Sequence, residues 1–324
     1  MRLYSSWNIG GTETYRWSAS KNISDQGLNL QTMPKAMRYI LVPEPGRVFV
    51  SGDLGQAEAR VVAYLANCKD LIALFNDPTR HVHMENALAV FGHAVEKDSP
   101  EYVLAKAVVH ASNYREGPYK FSVQTGMPIR DTKRLLSNYH AKRPEIGVWH
   151  KWVWNEIKDR GMLRSPLGDE RFFYEAVSSF SLLGKMTDQQ WKDAIAWVPQ
   201  TTVPHITNIG FIGLASVQAE LDLWFHHHGH DSFLVSVPEG MATRVVDAAQ
   251  KAFCVDLVAS GQHFGIPMEF SVGWNFGDMM AWHGKEPSKN EWQVWLAHKL
   301  QKKSREEQLL ESAYGIHLKN WRVV

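Results

Sequence analysis

Cysteine is nearly missing from this chain: Cys68 and Cys254 are the only two in 324 residues. That is too few for a disulfide framework and fits a reducing compartment. Long apolar runs are missing as well. No stretch approaches the ~20 residues that a membrane-spanning helix needs. The opening Met1-Arg2-Leu3-Tyr4-Ser5-Ser6-Trp7 carries no apolar run of secretory type. These absences point to a cytoplasmic protein without membrane attachment. An excess of one charge sign is also lacking, since 35 Lys and Arg face 34 Asp and Glu. Net charge therefore gives no argument for nucleic acid, and any phosphate-binding surface has to come from local clustering. No internal repeat or low-complexity block is visible.

What is present reads as a globular chain with a sizeable core: 44% of residues are apolar and 21% charged. The length suits one large domain or two intimately joined ones. Tryptophan is abundant, and it serves equally to fill cores and to build stacking surfaces.

Along the chain the signals change character. Residues 5–35, rich in Ser, Thr, Asn and Gly, read as loops and short strands. Arg47-Val-Phe-Val-Ser-Gly-Asp53 reads as a strand that ends in a turn and a carboxylate. From Gln56 to Phe75 the apolar positions take a helical period, with Val61, Val62, Tyr64, Leu65, Leu71, Leu74 and Phe75. Residues 81–160 hold several helices, and residues 161–175 a hairpin or loop. Further helices are expected over 188–197 and 206–228. Phe233 to Val237 is a compact β run. Residues 241–260 look like an amphipathic helix, and 285–324 like a charged, mostly helical tail. A sheet assembled from both ends of the chain, with helices inserted between, explains this order. It can place Asp53 and Asp231 on neighbouring strands.

Two aspartates at strand edges can hold two Mg²⁺ ions, which activate an attacking oxygen and stabilise a leaving oxygen in phosphoryl transfer. A lone aspartate at a strand end also caps turns, and the residues alone leave both readings open. Lys106, His110 and Tyr114 stand at i, i+4 and i+8, so a helix would align them on one face. The cation suits a triphosphate and the rings suit a base or sugar. An ordinary amphipathic helix with a solvated lysine is the alternative.

Read together and in order, these fragments resemble the motifs of family A (polymerase I-like) DNA polymerases. Asp53-Leu54-Gly55-Gln56-Ala57-Glu58-Ala59-Arg60 is similar to motif A, Lys106, His110 and Tyr114 to motif B, and His230-Asp231-Ser232 to motif C. Thr14-Tyr15-Arg16-Trp17-Ser18-Ala19 and Asn29-Leu30-Gln31-Thr32-Met33-Pro34 resemble the segments that hold primer and template. His83 lies where a helix after motif A carries a histidine. Pro199-Gln200 resembles the minor-groove glutamine segment, and Trp274-Asn275-Phe276-Gly277-Asp278-Met279 the end of the palm. The resemblance spans roughly residues 3–284.

The resemblance implies an α+β fold: a palm with an antiparallel sheet and a largely helical fingers insertion. Palm is expected over 1–66 and 189–284, fingers over 67–188 with the motif B helix at about 101–117, and an appended tail over 285–324. It implies a DNA-directed DNA polymerase using Mg²⁺, two ions held by Asp53, Asp231 and the backbone carbonyl of Leu54. Lys106 would contact the triphosphate and act on the leaving group. Gln56, Glu58, His83, His110 and Tyr114 would complete the dNTP site, with Glu58 and Tyr114 excluding a 2′-hydroxyl. Arg16, Asn29, Gln31, Arg60, Gln200 and His230 would bind the primer–template. Donors at the minor-groove edge can test pairing shape without reading sequence. The expected partners are primer–template DNA, dNTPs and a second chain supplying thumb and exonuclease, which this chain is expected to lack.

Several positions depart from the family pattern. Ser232 stands for a glutamate, Tyr102 for an arginine, His110 for an aromatic, Lys192 and Ala196 for an arginine and an asparagine, and Tyr15 for a glycine. Tyr102 cannot bind phosphate as an arginine would, and Arg115 is a candidate to do so instead. His226-His227-His228-Gly229-His230 could be a zinc cluster but is better taken as the end of a helix. Trp149, Trp152 and Trp154 could stack on template or form a core face, and the latter is preferred. Lys299, Lys302, Lys303, Arg305, Glu306 and Glu307 look like a solvated helix, with DNA or partner binding as the alternative. Two rival functions stand beside the polymerase: a single-subunit RNA polymerase, which Glu58 disfavours, and an inactive palm remnant serving as a DNA-binding or assembly module.

Overall fold

The computed structural model describes the backbone of residues 4–314 and the side chains of residues 4–302. Strands β1 (Ser6–Asn8) and β2 (Ser18–Ser20) form a small antiparallel ribbon, followed by two 3-10 turns and then β3 (Arg47–Leu54). Seven helices come next: α1 (Ala57–Leu65), α2 (Lys69–Asn76), α3 (Val82–Phe91), α4 (Pro100–Asn113), α5 (Pro118–Thr125), α6 (Ile129–Lys142) and α7 (Pro144–Arg160). A hairpin of β4 (Met162–Arg164) and β5 (Glu170–Phe172) leads to α8 (Tyr174–Leu183), the long α9 (Asp188–Ser216) and the short α10 (Gln218–Leu221). The chain then re-enters the sheet with β6 (Trp224–His228) and β7 (Ser232–Pro238), crosses α11 (Ala242–Ala252) and makes the hairpin β8 (Leu257–Ala259) and β9 (Gln262–Phe264). It finishes with β10 (Met268–Gly273), β11 (Met280–Ala281) and α12 (Lys289–Tyr314).

The five-stranded antiparallel sheet has the order β11-β10-β3-β7-β6, so both ends of the chain do build it. Central position explains the composition of β3. Arg47, Val48, Phe49 and Val50 are all buried, as expected of a strand covered on both faces. The buried Arg47 is satisfied by Ser236 and by an ion pair to Asp222 at 2.7 Å. Cover thins toward the end of the strand, where Asp53 is exposed. Gly52 is required there: a Cβ would stand 2.5 Å from the Phe233 ring and 2.6 Å from the Met268 methyl.

Two apolar cores carry the molecule. One lies under the sheet, around Val48, Val50, Phe233, Val235, Val245 and Phe253. The other is helical, around Leu74, Ala105, Val108, Leu135, Tyr139, Ile146 and Ile157. Helix α9 joins them: Ala194, Ile195 and Val198 belong to the helical core, Val203, Ile206 and Leu214 to the sheet core.

Several expectations give way to the fold. The two helices expected over 188–197 and 206–228 are one helix to Ser216, with Pro199 and Pro204 inside it. Each proline deletes one helical N–H bond, and burial on both sides compensates. Residues 224–228 are strand β6, not helix, because pairing with β7 overrides local preference. His226 bonds the Ser236 hydroxyl at 2.7 Å, and His228 stacks on Trp17 at 4.2 Å. The helix expected over 241–260 stops at Ala252 and gives way to the β8–β9 hairpin. The motif B helix ends at Asn113, and Tyr114 is its C-cap. Of the three tryptophans on α7, Trp149 is buried and Trp152 exposed, while Trp154 packs against Trp191. At the start of α12, Trp292 is buried and donates to the Asp278 carbonyl at 2.7 Å, while Lys299 and Lys302 further along are exposed, as expected of a solvated helix. Lys303, Arg305, Glu306 and Glu307 lie outside the residues whose side chains are described. Among the described residues, no helix is long and apolar enough to cross a membrane.

Candidate active site

Register builds the floor of the site. Asp53 lies opposite Ser232 of β7, and the Leu54 N–H donates to the Asp231 carbonyl at 2.8 Å. Asp53 and Asp231 therefore sit on adjoining chains at one end of the sheet. The proton affinity of Asp53 is raised to about 7 by desolvation, then by the charges of Asp231 and Glu269. Asp231 is raised as well, chiefly by desolvation, with Glu58 adding to it and His230 and Arg16 opposing. Among the described residues neither carboxylate forms an ion pair. Two carboxylates at close quarters with no ion-pair partner among the described residues are a hard-oxygen donor set that fits Mg²⁺. No group of three or more His, Cys, Asp or Glu among the described residues could hold a metal by itself. This suits Mg²⁺, which takes one or two carboxylates and completes its shell with water and substrate phosphates.

Helix α1 starts directly behind Asp53. Gln56 is its N-cap in the left-handed region, at φ 52°, and puts Glu58 in the first turn. The Glu58 carboxylate accepts from the Tyr114 hydroxyl and from Arg16 Nη2, the latter at 2.8 Å. Gln200 also bonds the Tyr114 hydroxyl, whose proton is held well above the ordinary phenol range by burial and by Glu58. Arg16, Glu58, Tyr114 and Gln200, scattered through the sequence, thus meet in one cluster.

Helix α4 joins this cluster through Tyr114 at its C-terminal end. Tyr102, Ala105, Val108, Val109 and Ser112 are buried, which leaves Lys106 and His110 on the exposed stripe. The Lys106 ammonium lies 4.4 Å from the Tyr102 ring centre. His83 stands edge-on to the same ring at 5.8 Å, and burial followed by the Lys106 charge lowers its pKa to about 4. The His110 ring is 4.8 Å from Tyr114. At the position where the resemblance led to an arginine, the Tyr102 ring thus lies under the Lys106 ammonium. Arg115 is committed elsewhere, paired with Asp188 and lying 3.7 Å over Trp191.

Three other candidates are engaged within the protein. Asn29 caps a 3-10 turn. Gln31 accepts from the Ala19 N–H and donates to the carbonyls of Trp17 and His228. Arg60 donates to the carbonyls of Gly55 and Phe75 and stacks on Phe75, bracing the turn after Asp53. By contrast, Arg16 Nε and His230 Nδ1 are buried with no hydrogen-bond partner. Sequence reasoning missed Glu269, which register places opposite Asp53 on the strand side away from Ser232. No local pattern marks it, because only the β10–β3 pairing brings it to the site.

A family model described as DNA polymerase family A matches residues 1–278. The chain is 30% identical over 152 residues to a DNA polymerase of Mycobacterium phage D29, covering 46% of this chain and 25% of that one. It is 23% identical over 279 residues to the thermostable DNA polymerase I of Thermus filiformis, covering 84% of this chain and 32% of that one. Among solved structures, the POL domain of Pol1 from M. smegmatis, in complex with DNA primer–template and dNTP, superposes with a TM-score of 0.73 at 19% identity. That match covers 85% of this chain and 48% of the other. The chain thus spans about a quarter to a third of the length of the two sequence relatives.

Proposed function

The chain belongs to DNA polymerase family A, and from that premise we propose that it performs template-directed transfer of deoxynucleotidyl groups from dNTPs to a primer 3′-hydroxyl. The observation that carries the reading is the β3–β7 pairing, which brings Asp53 and Asp231 together with no ion-pair partner among the described residues. Asp53, Asp231 and the Leu54 carbonyl would hold two Mg²⁺ ions. When bound, such a pair lowers the proton affinity of an attacking hydroxyl and stabilises a leaving phosphate oxygen.

The side chains of the protein have distinct tasks. Lys106 and His83 face the triphosphate from the helical wall; the ammonium attracts the phosphates and stabilises the departing pyrophosphate. His83, neutral near pH 7 at a pKa of about 4, offers a ring nitrogen without a competing charge. Gln56 and His110 border the nucleotide. Glu58, pinned between Tyr114 and Arg16, forms the wall that refuses a 2′-hydroxyl. Arg16, Gln200 and His230 meet the terminal base pair, and the buried unpartnered Arg16 Nε and His230 Nδ1 support this role. Asn29, Gln31 and Arg60 would act chiefly by fixing the segments that carry those groups. Because the chain spans only part of its relatives, we also propose that much of the grip on the duplex comes from protein beyond these residues, such as a second chain.

The test is primer extension on a labelled primer–template with Mg²⁺. Extension with dNTPs, in short steps and strongly preferred over rNTPs, is expected. Absence of metal-dependent extension would favour a palm that binds DNA without synthesis, and equal use of rNTPs an RNA polymerase.

A further inference from the structure

Asp53 has two lateral neighbours in the sheet, Ser232 on β7 and Glu269 on β10. Directly opposed residues of antiparallel strands project from the same face, with Cβ atoms about 5 Å apart. Asp53 and Glu269 thus form a carboxylate pair across the β3–β10 ladder, where like charges normally destabilise. The Glu269 carboxylate leans over the turn that follows Asp53, since a Cβ on Gly55 would stand 3.1 Å from its Oε1. It is exposed and makes no hydrogen bond or ion pair among the described residues. Arg60, a cation within electrostatic reach of Glu269, is tied to the carbonyls of Gly55 and Phe75. Ser232, on the other flank, brings no charge. The sheet therefore places two like charges side by side and neutralises neither.

We infer that Glu269 acts on the metal site without being a ligand: it is a positioning residue that raises cation affinity at Asp53 and Asp231 from the β10 flank. The inference rests on the polymerase reading for its purpose, but cation binding can be measured without it. A repelling carboxylate beside Asp53 costs the empty site stability and favours the site with a divalent cation bound. Ser232 occupies the mirror position, so a carboxylate introduced there should do the same work.

The test uses Mn²⁺ as the probe, titrated by calorimetry into the full chain, with primer extension measured in parallel across a Mg²⁺ series. Glu269→Gln should weaken Mn²⁺ binding about tenfold. It should shift the Mg²⁺ requirement for extension to higher concentration while leaving the rate at saturating Mg²⁺ nearly unchanged. Thermal stability without metal should hold or rise. Adding Ser232→Glu to Glu269→Gln should restore Mn²⁺ affinity. Wild-type Mn²⁺ affinity in Glu269→Gln would overturn the inference and leave the polymerase reading intact. Weakened Mn²⁺ binding in Glu269→Gln, from a wild-type chain that extends no primer, would overturn the polymerase reading and leave this inference standing.

Discussion

The two walls of the cleft respond to the same physical force in opposite directions. On the sheet side, desolvation raises the proton affinity of Asp53 and Asp231, and neighbouring carboxylates add to it. On the helical side, desolvation lowers His83, and Lys106 adds to it. Each wall keeps a charge that the protein does not neutralise. Asp53 and Asp231 have no ion pair among the described residues, and Lys106 has only the face of Tyr102. The sheet side and α4 are linked by the hydrogen-bonded cluster Arg16–Glu58–Tyr114–Gln200. An acidic sheet side and a basic helical side are what the proposed metal–triphosphate substrate would require. The linking cluster, with Glu58 paired to Arg16 and Tyr114, is expected to set shape rather than charge.

The most damaging way to break this contrast is to disarm the acidic wall. Asp53→Ala should lower single-nucleotide incorporation about a thousandfold or more, equivalent to about 4 kcal/mol of transition-state stabilisation. Its folding should not suffer, because the substitution removes a repelling charge. A burst measurement of one dNTP addition, with a melting curve alongside, checks both halves. Disarming the opposite wall is expected to cost less. Lys106→Ala should reduce incorporation about a hundredfold, as for removal of one preorganised charge partner of the transition state. Equal losses in the two variants, each with native melting, would show that the walls do not differ in catalytic weight.

The contrast also has a signature in stability against pH, measured without metal. Asp53 keeps its proton in the folded state up to about 7, against 3.8 for the ordinary group. Its contribution is full below about 4 and is lost as pH rises toward about 7. His83 is depressed from 6.5 to about 4. Its contribution is present above about 6.5 and is lost as pH falls toward about 4. Asp53→Asn should therefore make the melting temperature climb more steeply between pH 4 and 7, and His83→Asn should flatten it. The Asp53 effect is damped by its exposure to solvent at the cleft mouth. The same tilt in both variants would show that the walls are not electrically opposed.

Much of this arrangement is legible in the sequence, for definable reasons. Strands β3 and β7 announce themselves because they are central and buried on both faces, which yields unbroken runs of Val, Phe and Leu. The stripe of α4 is legible because a helix packed on one side must alternate at its own period. Strand β6 is not, since Trp224 to His228 carries no strand pattern and forms through pairing with β7. Helix α9 is disguised by Pro199 and Pro204, which punctuate it locally while burial on both cores holds it together. Glu269 is invisible for a similar reason. In Met268-Glu269-Phe270-Ser271-Val272 it is the ordinary polar partner of an alternating strand, and only register reveals its neighbour. Arg115 misleads in the other direction: next to Tyr114 it looks free to bind phosphate, but Asp188 and Trp191 hold it.

The finest test concerns what holds Lys106 in place. Tyr102 stands where the family resemblance leads one to expect a second cation, and its ring instead carries the ammonium at 4.4 Å. Tyr102 is buried, and it is the ring that the Lys106 ammonium meets. Tyr102→Phe should therefore change the KM for dNTP by less than about twofold, because the quadrupole is kept. Tyr102→Leu keeps an apolar filler but removes the π face, so KM should rise about threefold at unchanged kcat, the range of an exposed cation–π contact. If the hydroxyl variant proved the more harmful, Lys106 would be positioned by something other than the ring. The helical wall would then owe its poise to a hydrogen bond, and the analogy with the uncompensated acidic wall would weaken.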